Sequence, residues 1–346
     1  MRIYYYLSAY ISHRVAGLDT IACLKGLGHT VTTEAEELAG ADLAVLHGDP
    51  LEYGPLFAKH PLNVLPTVAF CVWENERLTP HYVPHLRLVD FIWTPSRFSC
   101  KALAECFDNV SIVPHVVKRR TPSAEDMEYA SRVLHGHGAG FRFFSIVDSV
   151  NPRKNIQALL AAFSSLRAVM ARKPILVLKQ YRVDFDLSGI PGVVCISGDL
   201  SEGRMAALHL QTDAYVSAHH AEGWGLGLSQ AMAYGKPVIA TGYSGNMDFM
   251  DSGNSFPVPF SLRPVSAEMC RRIPLFTPDM TWANIDQEAL VRTMHRVARG
   301  EIPPGLLKNA ALITKRFGPE QNMERLRTLL ERMRHGESAG DCRCNG

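Results

Sequence analysis

The 346-residue chain is long enough for two domains of ordinary size. Its hydrophobic content of 47% and charged content of 20% are typical of a soluble globular protein. The formal net charge of +2 gives no reason to expect nucleic-acid binding, which usually comes with a concentrated basic surface. The eight cysteines include no Cys-x-x-Cys pair, so we expect reduced thiols and predict neither a zinc site nor a disulfide framework.

The N-terminal run and the hydropathy of the chain predict a cytoplasmic location. Met1–Leu7 is a short β-rich run and does not have the pattern of a signal peptide. No run of about 18 apolar residues occurs, so we expect no membrane-spanning helix. A peripheral position at the inner face of the plasma membrane remains an alternative.

Strand-like and helix-like patterns alternate over residues 1–120, which favours a parallel sheet flanked by helices. The predicted strands cover 2–7, 30–33, 43–46, 64–71, 91–94 and 111–113, and the predicted helices cover 16–27, 51–59, 80–87 and 96–106. We interpret residues 1–120 as an N-terminal Rossmann-like domain.

A break in the pattern follows at residues 121–140. A helix is predicted over 123–135, and the run Gly136-x-Gly138-x-Gly140 is typical of a linker. This glycine run precedes a strand, whereas a nucleotide-binding loop follows one. We therefore interpret 121–140 as the connection to a second domain.

The alternation resumes over residues 141–318. The predicted strands cover 141–147, 175–179, 193–197, 214–217, 238–241 and 255–258, and the predicted helices cover 154–171, 201–211, 226–234, 286–299 and 303–316. We interpret 141–318 as a C-terminal Rossmann-like domain.

A last helix is predicted over residues 319–335. Its apolar side chains recur at helical spacing, at Met323, Leu326, Leu329, Leu330 and Met333. We expect this face to pack on the protein itself, and the alternative is contact with an anionic membrane through the arginines of the same helix. Residues 336–346 are predicted to form a disordered tail.

Residues 213–250 are the most informative segment for function. An apolar strand leads into a loop that holds Glu222 and three glycines, and a helix pattern begins within that loop. Because the backbone N–H groups of a helix start are unpaired and face outward, this arrangement can bind phosphate oxygens. The carboxylate of Glu222 can accept hydrogen bonds from hydroxyls, so the segment suits a nucleotide sugar.

The run Glu222-Gly223-Trp224-Gly225-Leu226, followed by Gly235-Lys236-Pro237-Val238-Ile239-Ala240-Thr241 and Gly245-Asn246, resembles the donor-site signature of family-4 retaining glycosyltransferases. This resemblance implies an α/β protein of the GT-B fold, with two Rossmann-like domains facing a cleft and a C-terminal helix crossing back to the N-terminal domain. The N-terminal domain would face the acceptor, and the C-terminal domain would bind the nucleotide sugar.

The same resemblance assigns roles to individual residues. Glu222 would contact the donor sugar, and the N–H groups of Gly223, Trp224, Gly225 and Leu226 would face sugar and phosphate oxygens. The family usually has a second glutamate seven residues further on, which holds the ribose; here Gln230 stands at that position. The amide keeps a hydrogen-bond acceptor but loses the charge, which weakens the expected ribose contact.

The run Asp148-Ser149-Val150-Asn151-Pro152-Arg153-Lys154 resembles the family's first donor-domain loop, where cations contact the diphosphate. Lys154 matches the family's lysine, and Arg153 is our candidate for the second cation because Asp148 stands at the usual arginine position. An exposed helix start is the alternative, although cations there oppose the helix dipole. We also assign Lys179 to donor binding. No metal is expected, and we interpret Asp184-x-Asp186 as a solvated loop.

Three further candidates complete the predicted site. Asn246 either touches the donor sugar or caps a helix that begins at Gly245. Glu74 lies in a run, Phe70 to Leu78, that resembles a segment of a polysaccharide mannosyltransferase subgroup, and we predict a catalytic role for it near the acceptor. His115 is a candidate for donor contact, with a structural role as the alternative.

The resulting hypothesis is a retaining, metal-independent hexosyltransferase without a cofactor that transfers mannose from GDP-mannose, with a UDP-sugar as the alternative donor. Its acceptor would be a hydroxyl of a glycan, a lipid-linked glycan or another molecule in polysaccharide or glycoconjugate assembly. One alternative is a weak or inactive nucleotide-sugar binder, suggested by Gln230. The other is a nicotinamide oxidoreductase, which the missing third glycine of a dinucleotide fingerprint disfavours.

Overall fold

The computed structural model of the chain describes residues 1–181, 186–187 and 189–335. The predicted tail at 336–346 and Asp184 of the Asp184-x-Asp186 pattern lie outside the described residues. Within them the chain divides into two units: unit 1 combines the N-terminal part with 275–280 and the C-terminal part from Lys315, and unit 2 comprises Val117–Pro274 and Thr281–Thr314. The predicted boundaries at 120 and 140 differ from this division, because residues 117–140 belong to unit 2.

Unit 1 is built on a six-stranded parallel sheet in the order β2-β1-β3-β4-β5-β6. Its strands are β1 (Arg2–Leu7), β2 (Thr30–Thr32), β3 (Leu43–His47), β4 (Thr67–Phe70), β5 (Phe91–Thr94) and β6 (Val110–Ile112), and the helices between them are α1 (Ile11–Gly26), α2 (Tyr53–Lys59), α3 (Val83–Leu86) and α4 (Arg97–Ala104). Ser96 caps α4 through a hydrogen bond from the N–H of Ser99 at 3.2 Å.

Unit 2 is built on a second six-stranded parallel sheet in the order β12-β11-β10-β7-β8-β9. Its strands are β7 (Arg142–Val147), β8 (Ile175–Gln180), β9 (Val193–Ser197), β10 (Ala214–Ser217), β11 (Val238–Thr241) and β12 (Phe256–Val258). The flanking helices are α5 (Ala124–Leu134), α6 (Ile156–Val169), α7 (Glu202–Gln211), α8 (Leu226–Ala233), α9 (Ala267–Arg272), α10 (Gln287–Ala298) and α11 (Leu306–Ala311). The strands are buried on both faces, as parallel sheets covered by helices require.

An antiparallel hairpin of β13 (Phe260–Pro264) and β14 (Thr281–Ile285) follows β12 and was not predicted. The segment between its strands contains α9 and then residues 275–280, which belong to unit 1. Phe276 stacks on Trp73 with ring centroids 5.1 Å apart, and the Asp279 carboxylate pairs with Arg77 at 2.6 Å. These contacts assign 275–280 to unit 1, whereas the sequence placed the segment in the C-terminal domain.

The chain ends, within the described part, with α12 (Ile313–Arg316) and α13 (Pro319–Arg334). The apolar face of α13 packs on α1, where Leu326, Leu329 and Leu330 join the buried core of unit 1. The predicted return of the last helix to the N-terminal domain is therefore confirmed.

Five cysteines of the described residues carry free thiols: Cys23, Cys71, Cys106, Cys195 and Cys270. Cys23 and Cys71 are free and buried, as expected for thiols inside a globular protein.

Candidate functional site

The predicted donor residues of unit 2 lie at the carboxyl edge of its sheet. The neighbouring strands β7, β10 and β11 are parallel, so the loops that follow them meet at one edge. The chain leaves β7 toward β8 on one side and returns to β10 on the other, which makes β7/β10 the point where the strand order reverses. Ligands of open α/β sheets bind at such a point.

The loop after β7 is fixed by two asparagines. The Asn151 side chain accepts a hydrogen bond from the N–H of Arg153 at 3.1 Å and begins a short 3-10 turn over Pro152–Lys154. Asn155 then takes a left-handed conformation, with φ at +49°, and its amide donates to the carbonyl of Ala218 at 2.9 Å. The loop after β7 is thereby joined to the loop after β10.

This junction brings Arg153, Lys154 and Glu222 together. The Lys154 Nζ lies 2.6 Å from Glu222 Oε1, and the Arg153 guanidinium lies 3.4 Å from Glu222 Oε2. Arg153 also donates to the carbonyl of Ala221 at 2.5 Å. The side chains of Arg153 and Glu222 are only 6% and 12% exposed, whereas Lys154 is 21% exposed. The alternative of an exposed helix start therefore does not describe Arg153.

The charges at this junction determine the ionisation of Glu222. Burial alone would raise the pKa of its carboxyl group, but the positive charges of Lys154 and Arg153 outweigh burial and lower that pKa to about 2. Glu222 is thus ionised over the whole physiological pH range. It can accept hydrogen bonds but cannot donate a proton at neutral pH.

The glycine loop leads from Glu222 into α8. Gly225 adopts φ at +96°, a left-handed conformation that favours glycine, and stands at the N-cap position before Leu226. The Trp224 side chain is buried, and its Nε1 donates to Ser229 Oγ at 3.3 Å. Trp224 therefore anchors the loop through its ring, which leaves the backbone N–H groups of the α8 start as the part that suits an anion.

The loop after β11 packs directly on the glycine loop. The Gly245 N–H donates to the Glu222 carbonyl at 2.8 Å, and a Cβ at position 245 would lie 2.2 Å from the Gly223 carbonyl oxygen. Asn246 follows in a 3-10 turn and is fully buried, with its Nδ2 donating to the Thr241 carbonyl at 3.0 Å. Its side chain does not cap the turn, so the capping alternative is wrong, and its contact with a donor stays a prediction.

Gln230 and Lys179 lie in the same unit. Gln230 is partly buried on α8 beside His209, and burial lowers the pKa of that imidazole to about 3, so His209 is neutral. Lys179 is fully buried near the end of β8; its Nζ donates to the Gln180 carbonyl at 3.2 Å and lies 3.7 Å from the ring centre of Tyr181. Burial lowers the pKa of Lys179 to about 8.

The other two predicted residues, Glu74 and His115, belong to unit 1. Glu74 follows β4 in a loop where the Trp73 indole donates to the Arg77 carbonyl at 2.8 Å. His115 is buried and stacks on Phe70, with ring centroids 5.5 Å apart. The structural alternative for His115 thus has direct support, and the roles of both residues in donor or acceptor binding stay predictions.

Sequence reasoning missed the role of His219 and Ser244. His219 Nε2 lies 3.2 Å from Asn246 Oδ1, and Ser244 Oγ accepts from the Glu222 N–H at 2.7 Å. No sequence signal marked Ser244, because serine is not the residue expected in its backbone conformation.

Within the described ranges, no group of three or more His, Cys, Asp or Glu side chains is arranged to hold a metal ion. In the same part of the chain, no helix has both the length and the apolar composition needed to cross a bilayer.

The fold is similar to that of known glycosyltransferases. HepE of Anabaena, crystallised with UDP and glucose, shares 14% identity at a TM-score of 0.69, over 96% of this chain and 99% of HepE. Sucrose-phosphate synthase of Thermosynechococcus elongatus shares 14% sequence identity at a TM-score of 0.62, over 92% of this chain and 79% of the synthase. WaaG, a glycosyltransferase involved in lipopolysaccharide biosynthesis, shares 12% sequence identity at a TM-score of 0.61, over 94% of this chain and 99% of WaaG.

No curated protein matches the chain in sequence. Residues 131–259, which contain the loops after β7, β10 and β11, match the family described as "Glycosyl transferases group 1". The two parallel six-stranded sheets and the returning C-terminal helix form a GT-B fold, in which residues 131–259 are similar to glycosyl transferases group 1.

Proposed function

We propose that the protein transfers a sugar from a nucleoside diphosphate sugar to a hydroxyl group. The observation that carries this proposal is the trio of Glu222, Lys154 and Arg153 beside the start of α8, at the strand-order reversal of unit 2. Sugar transfer requires a diphosphate to be stabilised as its bond to the anomeric carbon breaks. The trio and the helix start supply cations and N–H groups for the diphosphate, and a carboxylate for sugar hydroxyls.

The charges of the trio suggest how the step proceeds. The anomeric C–O bond breaks with its electron pair going to the diphosphate, whose new charge Lys154 and Arg153 stabilise. The acceptor oxygen forms the new bond to the same carbon and gives its proton to a diphosphate oxygen. Attack on the face from which the diphosphate departs retains the anomeric configuration, and fixed cations take the part that a metal ion plays in other transferases.

Two classes of donor have support. HepE was crystallised with UDP and glucose, which supports a UDP-hexose for a protein of similar fold. The likeness of the Trp73-Glu74 run to mannosyltransferases supports GDP-mannose. We give the UDP-hexose priority, and propose an acceptor in polysaccharide or glycoconjugate assembly because WaaG acts in lipopolysaccharide biosynthesis.

A thermal-shift panel of UDP-glucose, UDP-N-acetylglucosamine, GDP-mannose, ADP-glucose and dTDP-glucose tests this function. A ligand present at 100 times its Kd should stabilise the protein by about 2.7 kcal/mol. We expect one nucleotide sugar to raise the melting temperature and to lose this effect in Lys154→Ala. No shift with any of the five would contradict the proposal. A shift without transfer or donor hydrolysis would support an inactive binder, the alternative that Gln230 suggests.

A further inference from the structure

Ser244 has a backbone conformation that serine rarely adopts. Its φ of +78° and ψ of −152° lie in a region that is nearly restricted to glycine. The same site uses glycine at position 225, where φ is also positive. A serine at position 244 is therefore unexpected on conformational grounds, and its hydroxyl group is the feature that glycine could not supply.

The hydroxyl group of Ser244 contacts the backbone of Glu222. Ser244 Oγ accepts a hydrogen bond from the Glu222 N–H at 2.7 Å and donates to the Tyr243 carbonyl at 2.5 Å. The next residue, Gly245, donates its N–H to the Glu222 carbonyl at 2.8 Å. Both backbone polar groups of Glu222 are thus bound by consecutive residues of the loop after β11.

A network of buried hydrogen bonds centred on His219 connects this loop to the neighbouring strand ends. His219 Nδ1 lies 2.9 Å from Ser217 Oγ, and its Nε2 lies 3.2 Å from Asn246 Oδ1. Thr241 Oγ1 donates to the His219 carbonyl at 2.6 Å. The amide oxygen of Asn246 is an acceptor, so the neutral His219 ring carries its proton on Nε2 and accepts the Ser217 hydroxyl at Nδ1. These hydrogen bonds join the loop after β11 to the ends of β10 and β11.

We propose that Ser244 is a positioning residue for the donor sugar. It fixes the backbone of Glu222, so that the carboxylate stays where it can meet both the cations and the hydroxyls of a sugar. His219 and Asn246 support it by holding the loop. This role rests on the proposed function, because it assigns Glu222 to the sugar part of the donor.

The conformation of Ser244 makes a decisive variant available. Ser244→Gly removes the hydroxyl group and also removes the backbone strain, so the variant should melt at a higher temperature than Ser244→Ala. Ser244→Ala removes the same hydroxyl group and keeps the strain. The two variants should therefore differ in stability and agree in their effect on the donor. Ser261→Ala, at an exposed position of β13, is the control.

Binding of UDP and UDP-glucose to these variants, measured by calorimetry, tests the role; GDP and GDP-mannose replace them if the panel selects guanine. We expect the affinity for the nucleotide sugar to fall about tenfold in both Ser244 variants, as for one lost hydrogen bond. The affinity for the nucleoside diphosphate should change less than about twofold, because its phosphates meet Lys154 and Arg153. The control should match the wild type.

Amide hydrogen exchange in the ligand-free protein, together with the binding data, distinguishes failure of the positioning role of Ser244 from failure of the proposed function. We expect faster exchange at the Glu222 amide in Ser244→Gly than in the wild type. If the wild type binds the sugar nucleotide and Ser244→Gly binds it equally well, the positioning role is overturned and the proposed function stands. If the wild type binds no nucleotide sugar, the proposed function falls and the donor role falls with it. An unchanged exchange rate at Glu222 overturns the positioning role in either case.

Discussion

In unit 2, the loops after β7 and β10 bring two cations to one carboxylate, whereas in unit 1 three imidazole rings lie together near the end of β3. His47 ends β3 and stacks on Phe70, with ring centroids 4.1 Å apart. The ring centroids of His13 and His115 lie 5.7 and 6.1 Å from that of His47. Both edges contain buried titratable groups. They differ in ionisation: Glu222 of unit 2 is charged, whereas the imidazole groups of unit 1 are neutral.

The pKa values express this difference. In unit 2 the neighbouring charges lower the pKa of Glu222 despite its burial, so the group remains charged. In unit 1 burial lowers the pKa of His13 to about 4 and that of His115 to about 3, so these groups remain neutral. A paired charge suits an ionic ligand, while a cluster of neutral rings suits packing or neutral hydroxyls.

The largest effect should come from breaking the charged trio. We expect Lys154→Ala to weaken donor binding 100- to 1,000-fold, because it removes one cation from the phosphates and leaves the buried Glu222 with a single partner. Calorimetric titration with the donor selected by the thermal-shift panel measures this. Lys308→Ala, at an exposed position of α11, should bind the donor as the wild type does. Equal loss in both variants would point to a general charge effect and contradict the assignment.

A smaller effect should appear in the pH dependence of stability. The folded-state pKa of His13 lies below the unfolded value, so the unfolded chain binds the proton first as the pH falls. The stability from neutral His13 is complete above pH 6.5 and is lost between pH 6.5 and about 4, up to about 3 kcal/mol, with Asp49 opposing part of this shift.

His13→Phe keeps a ring at this position and removes the titration. Urea unfolding at a series of pH values should show a shallower loss of stability between pH 6.5 and 4 in this variant. His137→Phe, at an exposed position, controls for the exchange of the ring itself. The loss of the Glu222 pairing adds only at lower pH, between 4.5 and about 2. The buried histidines of unit 2 titrate in the same range as His13, so the contribution of His13 is the difference between the wild-type curve and the His13→Phe curve. An unchanged slope in His13→Phe would contradict the burial of a neutral imidazole.

The smallest effect is expected at the surface pair between Arg77 and Asp279. Both side chains are more than half exposed, so water screens the pair despite its 2.6 Å separation. We expect Arg77→Ala to shift the melting temperature by less than about 2 °C. Phe276→Ala, in the same segment, should lower it much more, because Phe276 is buried against Trp73. Equal shifts would show that the ion pair holds 275–280 in unit 1.

Local patterns in the sequence predicted both parallel sheets and the loop that contains Glu222. Lys154 and Arg153 could be predicted because the run from Asp148 to Lys154 resembles a family loop, and cations before a helix start, which oppose the helix dipole, supported that assignment. The positive φ of Ser244 could not be predicted, since such a conformation is normally recognised by a glycine. The hairpin β13–β14 and the unit-1 contacts of 275–280 depend on partners far apart in sequence, which local periodicity does not encode.

The discontinuity of unit 1 has a consequence for anyone who divides this protein. A fragment ending near residue 120 would lack Phe276 and the α13 side chains Leu326, Leu329 and Leu330, and would expose the surfaces of Trp73 and α1 that they cover. Such a fragment is incomplete as a folding unit, although it contains every strand of its sheet. Exchange of unit 1 between relatives would therefore have to transfer three separate stretches of chain.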